Sequence, residues 1–149
     1  MICLLNWNEI ELIWQTQLWP NRLTPIKTHS AMMFLHGYNM KNFSYNSNFF
    51  GYKINEKIVG VNSGHKCADE SFRSRGLWVD PLYRKQGIGR LLLEKTISQA
   101  CVDGATFIWS YPRFSSWKTY QSVGFELQSD WAKSETSESN GYCLLLLKK

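Results

Sequence analysis

The stretch that decides the fold spans residues 77 to 92 and reads Leu77-Trp78-Val79-Asp80-Pro81-Leu82-Tyr83-Arg84-Lys85-Gln86-Gly87-Ile88-Gly89-Arg90-Leu91-Leu92. It begins as an apolar strand, turns at Asp80-Pro81 and continues into a helix with two glycines near its start. Amides in the first turn of a helix have no partner within the helix and carry partial positive charge. Glycines let an anion approach the backbone, and Arg84, Lys85 and Arg90 add full charges. The stretch therefore predicts an anion-binding turn between a strand and a helix.

Two common phosphate-binding patterns do not fit this turn. A dinucleotide fingerprint that starts at Gly87 would need glycine at position 92, where the chain has Leu92. A P-loop would need Gly-Lys followed by Ser or Thr, and the turn has no such run. The remaining pattern, Arg-x-x-Gly-x-Gly after Val-Asp-Pro and before Leu-Leu-Leu-Glu, resembles the acyl-CoA pyrophosphate loop of the GNAT superfamily of N-acetyltransferases.

A second segment, Tyr120-Gln121-Ser122-Val123-Gly124-Phe125, resembles the Tyr-x-x-x-Gly-Phe motif of the same family. The two motifs follow each other in the order and at the spacing of the family. The resemblance implies that Tyr120 points at the coenzyme sulfur and protonates the departing thiolate. A thiol and a phenol have ordinary pKa values of about 8.5 and 10, so this transfer is not steeply uphill. Taken alone, Tyr120 would be interpreted as a core tyrosine; beside the first motif the catalytic role is favoured.

The hydropathy pattern predicts one domain over residues 1–149, with no repeat or linker that divides it. Strands are predicted over 1–6, 49–55, 57–65, 72–79, 105–110, 125–132 and 142–147. Helices are predicted over 9–19, 28–35, 87–103 and 115–123, and Asn8 with Glu11 forms a capping-box pattern for the first. An Asn-rich stretch over 37–48 is predicted to be a long loop. The expected fold class is α/β (α+β): the GNAT fold, a mixed, mostly antiparallel sheet of about seven strands flanked by about four helices.

The resemblance also assigns the coenzyme contacts, with acetyl-CoA as co-substrate and no metal. The backbone of Leu77, Trp78 and Val79 is expected to pair with the pantetheine amides, as an added strand pairs with a sheet edge. Where the family commonly has Asn and Ala before the tyrosine, this chain has Arg113 and Ser116, so the usual amide contact at Arg113 is in question. The pyrophosphate is expected to be held by the turn made of Arg84, Lys85, Gln86, Gly87, Ile88, Gly89 and Arg90.

The general base is left open by the resemblance. Many relatives place a Glu or Asp on the strand before the phosphate loop or on the strand after the long helix. Here the first of these strands carries Arg73 and Arg75, and the second, over 107–111, has no carboxylate. His65 is a candidate proton relay because its ordinary pKa lies near neutrality; the alternative is a histidine on a surface strand. A water chain acting on an amine made neutral by desolvation is a further candidate.

Arg73 and Arg75 are candidate acceptor-binding residues. Strand alternation is expected to place them on one face with Leu77, and a guanidinium binds a carboxylate or phosphate in bidentate fashion. They therefore favour an acceptor amine with an acidic group. The alternative is a pair of solvent-facing arginines on an edge strand. Further candidates for the wall of an acceptor pocket are the aromatic residues Trp14, Trp19, Phe34, Tyr38, Phe43 and Tyr45.

The chemistry predicted is transfer of an acetyl or other short acyl group from acetyl-CoA to a primary amine by direct attack. The four cysteines are widely spaced and none has a histidine or cationic partner visible in the sequence, so neither a metal site nor a covalent cysteine intermediate is expected. A CoA-binding or scaffold domain without activity is the alternative. The acceptor is expected to be a small molecule or a peptide, and the chain a monomer or homodimer.

Charge and hydropathy exclude several other partners. The chain has 17 Lys plus Arg and 12 Asp plus Glu, a net charge of +5. The excess lies largely within the CoA motif, and no nucleic-acid module is recognisable, so a nucleic-acid partner is not expected. No apolar run approaches the ~20 residues that cross a bilayer, and the first residues do not form a signal peptide. The predicted location is the cytoplasm, with no membrane partner.

Overall fold

The computed structural model describes residues 1–22, 26, 46–67, 70–133 and 138–147. Three α-helices occur in these residues, and a π-helical turn over Trp14–Leu18 extends the first of them. The helices are α1 (Trp7–Ile13), α2 (Ile88–Val102) and α3 (Trp117–Ser122). The strands are β1 (Ile2–Leu4), β2 (Ser47–Ile54), β3 (Lys57–Lys66), β4 (Ser71–Val79), β5 (Phe107–Ser110), β6 (Glu126–Leu127), β7 (Ala132–Lys133), β8 (Ser139–Asn140) and β9 (Cys143–Leu146).

Seven of these strands form one sheet in the order β1-β2-β3-β4-β5-β9-β6. Every neighbouring pair is antiparallel except β4 and β5, which run parallel. A parallel pair needs a crossover, and α2 provides it. The predicted mixed, mostly antiparallel sheet of seven strands is confirmed.

The helices cover both faces of the sheet. Leu93 of α2 packs in one core cluster with Phe72 of β4 and Ile108 of β5. On the other face, Ile10, Trp14 and Leu18 recur every four residues and form a second cluster. About four helices were expected, and the described residues contain three. The predicted helix over 28–35, most of the loop over 37–48 and four of the aromatic pocket candidates lie outside the described residues: Phe34, Tyr38, Phe43 and Tyr45.

The first helix begins two residues earlier than predicted. Asn6, not Asn8, caps it: the Asn6 side chain accepts the Glu9 amide at 2.9 Å, and the Glu9 carboxylate accepts the Asn6 amide at 3.0 Å. Both residue pairs have the capping-box spacing, so spacing alone could not choose between them. Burial decides, because a helix that begins at Trp7 directs Ile10 into the core, where it is fully buried.

The strand predicted over 125–132 is wrong in its extent. Only Glu126–Leu127 pairs with β9, opposite Leu144 and Cys143. Beyond this pair the Gln128 amide still donates to the Tyr142 carbonyl at 2.8 Å, but the Tyr142 amide donates to the Ser129 hydroxyl at 2.8 Å, so a side chain replaces the next bond of the ladder. The chain then forms a separate two-stranded sheet, β7 with β8.

A β-bulge in β4 changes the direction of its side chains. Across from β3, Val61 pairs with Trp78 and Ser63 pairs with Arg75, so β4 contains one extra residue at this point. Gly76 has φ +79° there, and a Cβ atom on it would lie 2.3 Å from the Trp14 ring. Only glycine fits both conditions.

The bulge corrects the predicted common face of Arg73, Arg75 and Leu77. Leu77 packs with the clusters under α2, whereas Trp78 packs with the cluster under α1. Arg73 and Arg75 share one face, as predicted, but Leu77 lies on the opposite one because the extra residue shifts the alternation.

Candidate active site

The strands β4 and β5 pair over three residues and then separate. Ser71, Phe72 and Arg73 are paired with Phe107, Ile108 and Trp109, and the pairing ends there. At the point of separation the Ser110 hydroxyl donates to the Ser74 carbonyl at 2.8 Å. The rest of β4, up to Val79, therefore has an edge that β5 does not cover. A linear molecule with amide groups can pair with such an edge.

The turn after β4 is held by Asp80. Its carboxylate accepts the Leu82 amide at 3.0 Å and lies 3.4 Å from the Lys57 ammonium. The amide hydrogen bond, with a further contribution from Lys57, holds the pKa of Asp80 below its usual value. Arg84 then folds back, and its Nε donates to the Val79 carbonyl at 2.8 Å. The end of β4 and the start of the loop are thereby tied together.

The loop over 84–87 is exposed and has the backbone geometry of an anion cradle. Lys85 and Gly87 have φ +61° and +80°, and Gln86 between them does not have a positive φ. Successive backbone amides in a turn with left-handed residues can form an anion-binding concavity. A Cβ atom on Gly87 would meet nothing within 4 Å, so the space above the loop is open.

The helix α2 begins immediately after this loop, at Ile88. The first intrahelical hydrogen bond is donated by Leu91 to the Gly87 carbonyl at 3.0 Å. The amides of Ile88, Gly89 and Arg90 therefore precede the ladder of the helix and add the positive end of its dipole. The loop and the helix start can together hold the two phosphates of a coenzyme.

Tyr120 lies on α3 and reaches the point where β4 and β5 separate. Its hydroxyl is 3.4 Å from the Ser110 hydroxyl oxygen, and the Ser74 side chain also hydrogen bonds to it. Ser110 has one hydroxyl hydrogen, which the shorter bond to the Ser74 carbonyl takes, so the Tyr120 hydroxyl donates to Ser110. Burial raises the pKa of Tyr120 well above its usual value. The phenol is therefore protonated across the neutral range.

Sequence reasoning missed the polar residues around Tyr120. Ser74 and Ser110 are buried, and Asn62 on β3 donates to Ser74 Oγ and to Thr96 Oγ1, both at 2.9 Å. These contacts fix the side chain of Ser74. A serine at the end of a strand is common in proteins, so no sequence pattern distinguished these residues from surface serines.

The opposite face of β4 carries the two predicted acceptor-binding residues. Arg73 and Arg75 are 3% and 4% exposed, so the solvent-facing alternative is wrong. Arg73 lies over the rings of Trp109 and Tyr111, with its Cζ 5.4 and 5.8 Å from their centroids.

His65 is buried on β3, opposite Arg73 in the register. The surface alternative for His65 is therefore wrong as well. It is on the opposite side of the sheet from the Tyr120 hydroxyl, because Arg73 faces away from α2.

A cysteine partner that was not visible in the sequence appears in the structure. Cys67 Sγ lies 3.9 Å from His65 Nδ1, and both side chains are buried. The same Nδ1 is 3.1 Å from the Lys66 carbonyl, which can only accept a hydrogen. Nδ1 therefore carries a hydrogen for this carbonyl and is not the atom that could deprotonate the thiol.

Arg113 and Ser116 stand at the start of α3. Arg113 donates to the Leu18 carbonyl and pairs with Glu138 at 3.1 Å. Burial lowers the pKa of Arg113, Glu138 opposes this effect, and the nearby cation Arg84 adds to it. The side chain thus joins the end of the π-helical turn to Glu138 and to the segment before α3. Ser116 is the half-buried residue before α3.

The described residues show neither a group of three or more potential metal ligands nor a helix long and apolar enough to cross a membrane. Among curated proteins, no sequence matches this chain.

Solved structures share the fold at low sequence identity. A GNAT-family acetyltransferase from Staphylococcus aureus Mu50 matches with a TM-score of 0.70 and 19% identity, over 99% of each chain. The ribosomal-protein-S18-alanine N-acetyltransferase of Escherichia coli matches with a TM-score of 0.65 and 18% identity, over 100% of this chain and 94% of that one. A Bacillus subtilis acetyltransferase in complex with CoA matches with a TM-score of 0.58 and 17% identity, over 73% and 80%.

The sequence itself matches the acetyltransferase (GNAT) domain family over residues 45–127, which is more than half of the chain. The matched residues include β4, its separation from β5, the phosphate loop and Tyr120. On this match, and with the fold shared by these structures, the chain belongs to the GNAT acetyltransferase family.

Proposed function

We propose that this chain is a single N-acetyltransferase domain that moves an acetyl or other short acyl group from acetyl-CoA to a primary amine by direct attack. The observation that carries the proposal is the position of the Tyr120 hydroxyl. It lies beside Ser110, where β4 and β5 separate, and the same opening leads to the loop over 84–90. A proton donor, an open strand edge and an anion cradle thus line one opening.

Acetyl-CoA fits the residues that surround this opening. The uncovered edge of Leu77, Trp78 and Val79 offers backbone groups to the two amides of the pantetheine arm. The left-handed residues Lys85 and Gly87 and the first-turn amides of α2 offer a cradle to the pyrophosphate. When bound, acetyl-CoA supplies the activated acyl group, and the protein supplies alignment and electrostatics.

Tyr120 acts as the general acid in this proposal. When the amine nitrogen bonds to the thioester carbon and the carbon–sulfur bond breaks, Tyr120 gives its proton to the sulfur. The raised pKa keeps the proton on the phenol across the neutral range, but it also makes transfer to the thiolate more uphill than the ordinary pKa values of the two groups imply. The Ser110 and Ser74 contacts hold the hydroxyl at the opening.

The proton that leaves the amine goes to water or to His65. In the described residues, β4 and β5 carry no carboxylate that could accept it. His65 is on the face of the sheet that the arginines occupy, next to Arg73.

The missing carboxylate also favours a second candidate, a domain that binds CoA without catalysis. Calorimetric binding of CoA together with no acyl transfer to any amine would support this candidate. Release of the coenzyme thiol only in the presence of an amine would exclude it.

The acceptor screen is the direct test of activity. Acetyl-CoA is supplied with amino acids, polyamines, aminoglycosides and peptides with free N-termini, and acetylated products are identified by mass spectrometry. Peptides are included because the Escherichia coli protein is named for its action on an alanine of ribosomal protein S18. We expect one class to be acetylated with equal release of free CoA.

A further inference from the structure

The face of β4 that points away from Tyr120 holds two buried guanidinium groups between aromatic rings. Arg75 Cζ lies 4.7 Å from the ring centroid of Trp14 and 5.1 Å from that of Trp19. Arg73 occupies the same relation to Trp109 and Tyr111. The four rings come from the first residue of the π-helical turn, from the residue after that turn, and from β5 with the residue after it. Separate parts of the fold therefore converge on these two cations.

The ring contacts affect how each guanidinium can recognise a ligand. A cation over a ring is attracted by the face of that ring, and a guanidinium carries its N–H donors in one plane. The group keeps its charge in any protein environment. A guanidinium held in this way can present donors in the planar arrangement that matches a carboxylate or a phosphate.

The two arginines lie on the face of β4 that α2 and α3 do not cover. On the Tyr120 side, the separating strands are covered by α2 and α3, whose residues Leu93 and Tyr120 pack with Phe72 and Ile108 in one core cluster. On the other side, Arg75 is on the part of β4 that β5 does not cover. Arg113 adds a third guanidinium on this side, since it reaches the Leu18 carbonyl.

We propose that the acceptor amine carries an anionic group, a carboxylate or a phosphate, and that Arg73 and Arg75 bind it. The inference rests on the proposed function and adds the chemical class of the acceptor. An anion near the two guanidiniums gains charge-assisted hydrogen bonds in a site screened from water. A cationic acceptor such as a polyamine meets like charge in the same place, which is strongly disfavoured.

Matched pairs of acceptors test the proposal on the wild-type enzyme. The pairs are β-alanine with β-alaninamide, 2-aminoethyl phosphate with ethanolamine, and two C-terminally amidated peptides that differ only by Glu or Gln at the second position. We expect kcat/KM to be at least about tenfold higher for the anionic member of one or more pairs. The first and third pairs report a carboxylate, and the second reports a phosphate.

The outcomes separate this inference from the proposed function. Equal rates within every pair, or a preference for neutral acceptors or spermidine, would overturn the inference and leave acetyl transfer standing. No transfer to any amine would overturn the proposed function and the inference with it.

Variants then locate the effect. Replacement of both residues, Arg73→Gln with Arg75→Gln, is expected to raise the KM of the anionic acceptor at least about tenfold while the KM of acetyl-CoA stays unchanged. The variant with Arg73→Lys and Arg75→Lys keeps the charges but loses the fork, and we expect a smaller rise. The control removes two charges elsewhere, with Lys53→Gln on β2 and Lys95→Gln on α2, and should match the wild type.

A folded double Gln variant with an unchanged acceptor KM would overturn the assignment to these arginines. Circular dichroism and thermal melting establish which variants fold. If the Gln variant does not fold, the Lys variant and the wild-type pairs decide the question, because neither removes the buried charges.

Discussion

The two halves of β4 have the same neighbour on one side and different neighbours on the other. Both halves pair with β3. The first half, Ser71 to Arg73, also pairs with β5, whereas the second half, Ser74 to Val79, does not. The first half has its backbone closed on both sides and the second has an open edge beside a loop of exposed amides. In the proposed function, one strand thus serves as scaffold at its start and as binding surface at its end.

This difference predicts which substitutions lower stability and which lower binding or turnover. In the paired half, side chains complete buried contacts, such as the hydrogen bond from Trp109 Nε1 to Ser71 Oγ at 3.0 Å. In the open half, the bulge at Gly76, the turn at Asp80 and the loop over 84–87 direct groups into the opening. A change in the first half should lower the free energy of unfolding, and a change around the second should lower binding or turnover.

The largest effect is expected from Tyr120→Phe at the open half. The variant loses only the proton donor, so kcat should fall about 10²–10⁴-fold while the affinity for CoA stays nearly the same. Single-turnover kinetics measure the chemical step, and calorimetry measures the affinity. Tyr52→Phe on β2 is the control and should match the wild type. Wild-type turnover in Tyr120→Phe, measured where chemistry limits the rate, would make Tyr120 a structural residue.

The next effect is expected at the loop, where the two ends of α2 provide a matched pair. Gly87 and Gly104 have φ +80° and +76°, and a Cβ atom on either would meet nothing within 4 Å. Gly87→Glu and Gly104→Glu therefore add the same side chain with the same backbone strain. Only the first places a carboxylate in the proposed pyrophosphate cradle, so its Kd for CoA should rise at least about a hundredfold.

Calorimetric titration of both glycine variants with CoA checks this prediction. Gly89→Glu adds a second test of the loop, although its Cβ atom would lie 3.2 Å from Thr119 Cγ2 and so also touches α3. If Gly87→Glu and Gly104→Glu bind CoA with equal affinity, the loop is not part of the binding site.

At the paired half, Ser71→Ala should affect stability alone. It removes the acceptor of the buried Trp109 Nε1–H, which costs about 1–3 kcal/mol of unfolding free energy. Urea denaturation measures this loss, and the affinity for CoA should not change. Ser122→Ala, at an exposed hydroxyl on α3, is expected to stay within about 0.5 kcal/mol of the wild type. A loss of CoA affinity in folded Ser71→Ala would contradict the assignment of stability to the first half of β4 and of coenzyme binding to the second.

The smallest effect concerns pH and the buried Cys143, which lies opposite Ser110 in the sheet. Burial raises its pKa in the folded protein above the value of 9.0 that it has when exposed. As the pH rises, the thiol therefore loses its proton first in the unfolded chain. The free energy of unfolding then falls by roughly 1 kcal/mol per pH unit above about pH 9. Below pH 9 the Cys143 thiol is protonated in both states and does not lower the free energy of unfolding. Denaturation of the wild type and Cys143→Ala at pH 8 and 10 should show a smaller loss in the variant.

The sequence predicted much of the fold because its strongest signals are local. The helical spacing before Gly104, the meander and the turn at Asp80-Pro81 each follow from residues within one element, and the structure has all three. The choice of Asn6 over Asn8 and the end of β6 depend on packing against distant strands. The bulge at Gly76 also depends on such packing, because the Trp14 ring from the π-helical turn lies against it.

In the candidate site, too, local motifs could be predicted from the sequence and long-range contacts could not. The phosphate loop and Tyr120 belong to contiguous motifs, so they could be proposed from the sequence. Ser74, Ser110 and the rings around Arg73 and Arg75 come together only when β4, β5 and α1 are folded. No spacing in the sequence could predict these contacts. The acceptor site therefore had to be inferred from burial and stacking.

Amide chemical shifts during a titration with CoA test whether the open half of β4 and the loop after it form the coenzyme site. The amide resonances of Leu77 to Val79 and of the loop over 84–90 should move together and saturate with one Kd, while those of Ser71 and Phe72 stay nearly fixed. If these resonances do not move, or if the main shifts occur at the paired half or on the β1–β2 edge, the open half of β4 is not the coenzyme site.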